Sequence, residues 1–221
     1  MRRSYHHDRL IGILLTLGGP IVKKILVLYY SRHGAVAELA QMVAQGVESI
    51  SDCEAVMRTV PPVSTVCEAT SDPIPDSGDV YVDSADLESC HGLVLGSPTR
   101  FGTLAAPLKY FFDQNVGQWL SGALIDKPAG VFTSSSSQHG GQESTLLGMM
   151  VPLLHHGMIM VGIPFVGTPI SDTTSGGTPY GASHVASADG NAQITADERE
   201  SAIILGRRVA NCATRLARAP L

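Results

Sequence analysis

The sequence predicts an α/β protein built as a doubly wound five-stranded parallel sheet with helices on both faces. Three observations carry that prediction. Short, wholly apolar runs recur along the chain, as strands buried on both faces do. Segments whose apolar residues repeat at helical spacing separate them. The two kinds of segment alternate five times, the pattern of consecutive β–α units wound over one parallel sheet.

The first apolar run, Ile25 to Tyr30, stops at Ser31-Arg32-His33-Gly34. A helix follows, with Val36, Leu39, Ala40, Val43, Val47 and Ile50 on one stripe and Glu38, Gln41, Gln45 and Glu48 on the other. Cys53 to Val60 reads as the second strand, stopped by Pro61-Pro62. The chain then stays rich in Ser, Asp, Pro and Thr to about Asp86, the composition of a long surface loop. Gly92 to Gly96 is the third strand, ending in Ser97-Pro98-Thr99-Arg100-Phe101-Gly102. Helical spacing resumes near Leu104 and carries Leu108, Phe111 and Phe112. Gly130 to Thr133 is the fourth strand, and Ser134 to Gly141 its polar exit loop. Glu143 to His155 reads as a helix despite Pro152, and Met158 to Ile163 as the fifth strand. A Gly/Thr/Ser/Pro-rich insertion spans about Pro164 to Gly190. The last helix opens with a capping box, Thr195 and Glu198, and turns Leu205, Val209, Cys212, Ala213 and Leu216 inward.

A chain of 221 residues suits one such domain, placed at 23–221, with 1–22 an extension that is disordered or follows a misassigned start. Arg2, Arg3 and the apolar patch Leu10–Leu17 imitate a secretory signal but lack a small-residue cleavage site. No run reaches the length that spans a bilayer. A hydrophobic content of 44% against 16% charge describes a buried core, and a net charge of −5 offers no footprint for nucleic acid. Cys53, Cys67, Cys90 and Cys212 form no close pair, and Cys53 and Cys90 stand at strand starts. They read as free thiols in a reducing cytoplasm.

Ligands of a doubly wound sheet bind beyond the carboxyl ends of its strands, and three of the exit loops carry unusual chemistry. The loop Ser31 to Val36 combines a hydroxyl, a tight turn and helix N-terminal amides, which suit a phosphate. Pro98-Thr99-Arg100-Phe101 combines a fixed cation with an aromatic, which suits an electron-rich ring that gains negative charge. Ser134 to Gly141 is too polar for a core and leaves backbone open to a planar ligand. No nucleophile elbow accompanies His139-Gly140-Gly141, which disfavours a serine hydrolase. The single tryptophan, Trp119, lies in a Gly-flanked loop and reads as a ring-stacking wall or as core packing. The neighbours His155 and His156 cannot share one face, so no metal site is expected there. One of them is free to bond a cofactor while the other packs.

The runs YYSRHGAV (29–36), GSPTRFG (96–102), FDQNVGQWLSGAL (112–124), GGQE (140–143), LLHHGM (153–158) and GGTPYGA (176–182) resemble the WrbA family of flavodoxin-like NAD(P)H:quinone oxidoreductases. The resemblance spans about Ile25 to Leu216. It implies non-covalent FMN, with NADH or NADPH as co-substrate, and two-electron ping-pong reduction of quinones through flavin N5. Ser31, Arg32, His33, Gly34, Ala35 and Val36 would hold the phosphate. Pro98, Thr99, Arg100 and Phe101 would line the isoalloxazine, and Ser134, Ser135, Ser136, Ser137, Gln138, His139 and Gly140 would close over its other edge. His155 matches the family's histidine at the flavin and is a candidate proton partner; Trp119 matches its substrate-facing tryptophan. The family's usual homotetramer, a dimer of dimers, would let neighbouring subunits complete each site. Three departures stand out: His33 replaces a tyrosine associated with the nicotinamide nucleotide, the loop after Ser134 is one residue longer, and the insertion is somewhat short for the family. A one-electron carrier would expose a strongly acidic face, which the modest charge and long insertion argue against. Nothing basic supports a DNA-linked regulator. A reductase of other acceptors stays open.

Overall fold

In the computed structural model, which describes residues 22–63, 75 and 77–217, strand β1 (Lys23–Tyr29) is an interior strand of the sheet. It pairs in parallel with β2 (Cys53–Thr59) on one side and β3 (Gly92–Pro98) on the other. Then come β4 (Pro128–Ser135) and β5 (Ile159–Met160), so the order is β2-β1-β3-β4-β5. The order reverses between β1 and β3. Their carboxyl ends therefore flank the crevice where a doubly wound sheet accepts ligands.

The alternation of side chains along a strand explains both layers. Ile25, Val27 and Tyr29 of β1 face one core, with α1 (Ala35–Glu48) and α6 (Ala196–Leu216). Leu26 and Leu28 face the other, built with α2 (Ser84–Ser89), α3 (Ala106–Gln114) and α5 (Gln142–His155). Helix α1 buries Val36, Leu39, Ala40, Val43 and Val47 as its spacing predicts. It meets α6 at an unusually close crossing. A Cβ on Gly46 would lie 2.0 Å from the Ile203 carbonyl oxygen, and one on Gly206 would lie 2.0 Å from that of Val43.

Several expectations need correction. The loop after Pro62 contains α2, whose Asp83 and Asp86 form a capping box that the Ser/Asp-rich composition disguised. Cys90 caps the end of that helix and lies before β3. Trp119 belongs to a short helix, α4 (Val116–Leu120). The fifth strand is only two residues long. β4 gives its first residues to β5 and its last, Phe132 to Ser135, to β6 (Ala182–Val185), so the insertion splits one sheet position between two strands. Ile163 turns away to bond Pro179 within the insertion. Leu216, the last residue of α6, is exposed. Cys53, Cys90 and Cys212 are free, whereas Cys67 and the extension 1–21 lie outside the described residues. Among the described residues no helix is long and apolar enough to cross a membrane.

Glu198 does more than cap its helix. Its carboxylate is fully buried, and the Oε1 atom accepts from the amides of Gly176 (2.8 Å) and Val185 (3.1 Å) and from the Ser175 hydroxyl (2.7 Å). The Oε2 atom accepts from the Thr195 amide (2.8 Å) and faces His184 Nδ1 at 2.9 Å. Burial alone would raise this carboxyl's pKa; the bonds from His184, Thr195, Ser175 and Val185 outweigh it and hold the group down at about 2. One side chain thus joins the insertion, β6 and α6.

Candidate active site

The first exit loop ends where α1 begins. Gly34 adopts φ 94, a left-handed conformation that suits a residue without Cβ, and no side chain caps the helix. The first-turn amides thus have no side-chain acceptor. Beside them Ser31 Oγ is buried with no hydrogen-bond partner. A buried hydroxyl left unpaired costs about 1–3 kcal/mol, so it points to a ligand that pairs it. Tyr29, just upstream, donates to Asp79 Oδ2 at 2.8 Å, and burial, then that carboxylate, push its ionisation well above the ordinary phenol range.

The second loop leaves β3 through Pro98, which is the strand's last residue. Arg100 and Thr103 exchange backbone bonds of 2.9 and 3.1 Å, closing a tight turn. At its tip Phe101 stands at φ 52 with its ring fully exposed. A bulky residue in that region is strained, and such strain concentrates at ligand sites. Arg100 Nη1 donates to the Thr99 carbonyl at 2.9 Å, which fixes the guanidinium's base. Thr99 in turn meets the hydroxyls of Thr133 (3.4 Å) and Thr145 (3.1 Å), tying this loop to β4 and α5. Replacing Phe101 by glycine relieves the turn by about 1 kcal/mol and removes the ring. The melting temperature should rise by about 2–4 °C while affinity for an aromatic ligand falls; calorimetry and ligand titration check the two halves.

The third loop begins later than the sequence suggests. Ser134 and Ser135 are buried residues of β4, not loop, because the ladder continues through them, Ser134 paired with both β3 and β6 and Ser135 with β6. The exposed turn runs from Ser136 to His139, and the Ser137 carbonyl anchors it by accepting from Ser135 Oγ (2.8 Å), Gly140 N (3.0 Å) and Gln142 Nε2 (3.0 Å).

The three loops enclose one cavity of about 660 Å³, within the range of small-molecule sites. Ser31, Arg32, His33, Ala35 and Val36 line it from the first loop, and Pro98, Thr99, Arg100 and Phe101 from the second. Ser134, Ser135, Ser136 and Gly140 line it from the third. Gly34, Ser137, Gln138 and His139 shape these loops without lining the cavity. A fourth wall, Ala186 to Gly190, was missed, because at the end of the insertion its small polar residues read as plain linker. The donor set is that of an anionic, ring-bearing ligand: an orphaned hydroxyl, open helix amides, Arg32, His33 and Arg100. These residues fit the phosphate and ring of FMN.

Trp119 and His155 do not join this cavity. They line a separate groove of about 560 Å³ with Leu104, Val116, Val151 and His156. Trp119 Nε1 donates to the His155 carbonyl at 2.8 Å, and both side chains are exposed. Of the histidine pair, His156 packs against Phe112, its rings 5.8 Å apart, and its burial and the neighbouring His155 lower its pKa. His155 faces outward.

Residues 24–171 match the sequence profile of NADPH-dependent FMN reductase. A relative named NAD(P)H dehydrogenase (quinone) from Gluconacetobacter diazotrophicus is 40% identical over 198 residues, covering 87% of this chain and 98% of its own. Another of the same name, from Geobacter sulfurreducens, is 39% identical over 199 residues, with 87% and 98% covered. Among solved structures, a flavodoxin, WrbA-like protein from Agrobacterium tumefaciens superposes with a TM-score of 0.61 at 23% identity, covering 87% of this chain and 98% of that one. An archaeal flavodoxin superposes at 0.57 and 16% identity, covering 86% and 99%. At such identities the structures speak for the fold.

Proposed function

This chain belongs to the NADPH-dependent FMN reductase family and is an oxidoreductase; from that premise we propose that it uses bound FMN to reduce quinones to hydroquinones with electrons from NADH or NADPH. The observation that carries the reading is the unpaired, buried Ser31 hydroxyl at the open head of α1, inside the one cavity where three strand exits meet. When bound, FMN would supply hydride-transfer chemistry between the nicotinamide nucleotide and the quinone. The protein's part is binding, orientation and charge.

Ser31 and the α1 amides would hold the phosphate, with Arg32 and His33 as the neighbouring donors. Arg100 would favour negative charge on the ring. Phe101 would offer its exposed ring to it from the turn tip. Nicotinamide and quinone would occupy this one cavity in turn. Because His155 and Trp119 line a separate groove, they would serve a flavin held by a neighbouring copy in the proposed homotetramer, with His155 the candidate proton partner there. The relatives' shared name, NAD(P)H dehydrogenase (quinone), supports the acceptor. The free thiols Cys53, Cys90 and Cys212 support a reducing cytoplasm.

Steady oxidation of NADH or NADPH driven by benzoquinone is the test, since a one-electron carrier gives almost none and an enzyme for other acceptors prefers those. Ser31→Ala should weaken FMN binding about tenfold, the cost of one charge-assisted hydrogen bond, with an unchanged melting curve of the flavin-free protein. FMN fluorescence quenching reads the affinity, and an unaltered affinity removes Ser31 from the phosphate site.

A further inference from the structure

The fourth wall of the cavity, Ala186 to Gly190, has almost no core of its own. Ala188 and Asp189 are exposed, and Ser187 sits at φ 62. Within it Gly190 N donates to the Ser187 carbonyl (3.1 Å) and Asp189 accepts from Ser187 and Asn191; what ties it to the rest of the protein is a short chain of hydrogen bonds at its base. The Ala186 amide donates to the Ser135 carbonyl at 2.7 Å, and the Ala192 amide donates to the Ala186 carbonyl at 3.1 Å, so residues 186–192 form a closed loop hung on the end of β4. The second leg of that loop has one further tether, His184. Its Nε2 faces the Ala192 carbonyl at 3.1 Å, and its Nδ1 faces Glu198 Oε2 at 2.9 Å. His184 is 1% exposed and Glu198 0%, so the tether is anchored inside the protein rather than on its surface. Both ring nitrogens look at oxygens that only accept, and the ring satisfies both partners only with a proton on each nitrogen.

From this geometry we infer that His184 is a positioning residue of the active site: from its buried seat on β6 it bonds the Ala192 carbonyl, holds the Ala186–Gly190 wall against the flavin cavity, and so sets the affinity for FMN. The inference rests on the flavin reading of that cavity. It assigns no chemistry to His184, which lines no part of the pocket and acts through the backbone of residues 186–192. Nothing in the proposed reaction uses this buried pair, and capping α6 needs only Thr195 and Glu198. His184 contributes the link to the wall.

Two conservative variants separate the two ring contacts. In His184→Asn the amide nitrogen replaces Nδ1, so the bond to Glu198 is kept and the one to Ala192 is lost. In His184→Gln the amide nitrogen reaches where Nε2 was, so the bond to Ala192 is kept. If the tether positions the wall, His184→Asn binds FMN on the order of fivefold to tenfold more weakly, the loss of one hydrogen bond. Amides 186–192 of its flavin-free form then exchange faster with deuterium. His184→Gln restores both readings to near wild type even though it gives up the Glu198 contact. A purely structural role predicts the reverse order, with the Gln variant the more damaged. The wild-type protein supplies a check that needs no variant: the amides of Ala186 and Ala192 must exchange slowly without flavin, and free exchange there overturns the inference. Equal affinities in Asn, Gln and wild type also overturn it while leaving the flavin reading intact. A wild-type protein that binds no FMN at all takes down the flavin reading itself, and the affinity claim with it.

Discussion

Glu198→Ala should cost about 4 kcal/mol of stability, the largest loss expected from any single side chain here, because it strands five donors at once. The amides of Gly176, Val185 and Thr195, the Ser175 hydroxyl and the His184 ring all point at this one buried carboxylate. The same group predicts an acid transition. Its folded pKa of about 2 lies below the ordinary 4.5. A depressed carboxylate contributes stability above its unfolded value and loses it as pH falls through the folded one. The contribution, on the order of 3 kcal/mol, should therefore be complete above about pH 5 and be lost progressively toward pH 2. Urea unfolding measured across that window checks both statements. A Glu198→Gln protein should show a flatter acid profile, and an alanine variant within about 1 kcal/mol of wild type contradicts this account of the hub.

Gly206→Ala is the second large effect. Its new methyl would meet the Val43 carbonyl oxygen at 2.0 Å, a backbone atom in the middle of a helix with no freedom to step aside. The helices α1 and α6 must separate, and their shared core of Val43, Val47, Leu205, Val209 and Ala210 opens with them. Overpacking of this kind costs about 3 kcal/mol, or about 6–12 °C of melting temperature for a domain this size. Gly46→Ala should do the same, because it strikes the Ile203 carbonyl from the other side. Alanine is the better helix former, so propensity alone predicts stabilisation; thermal melts showing a gain would mean that the crossing is looser than described.

The alternation of strands and helices was legible because both sheet faces are covered, which makes each central strand a plain apolar run such as Ile25 to Leu28 or Leu93 to Leu95. Helix α6 announced itself through Thr195 and Glu198. The sequence could not show that Glu198 also anchors the insertion, since its partners in residues 175–185 are joined to it only by the fold. β6 stayed hidden for a related reason. Its four residues, Ala182 to Val185, form a strand only because β4 leaves Phe132 to Ser135 unpaired beyond the short β5. Local polarity also misled at Ser134 and Ser135, whose hydroxyls read as loop although β4 continues through both, Ser134 paired with β3 and β6 and Ser135 with β6. At the candidate site, the loops that leave β1 and β3 were readable from Ser31 to Val36 and from Pro98 to Phe101, because turn chemistry at a strand end is local. Trp119 and His155 were grouped with them by resemblance, and in a single chain they line a different groove.

The visible absorption spectrum of the purified protein, followed through one cycle of reduction and reoxidation, tests the central claim most directly. The account predicts a yellow protein with flavin bands, one FMN per chain, bleached by NADH or NADPH without air and restored by added benzoquinone. A colourless protein that takes up no FMN when the flavin is offered in excess would contradict it.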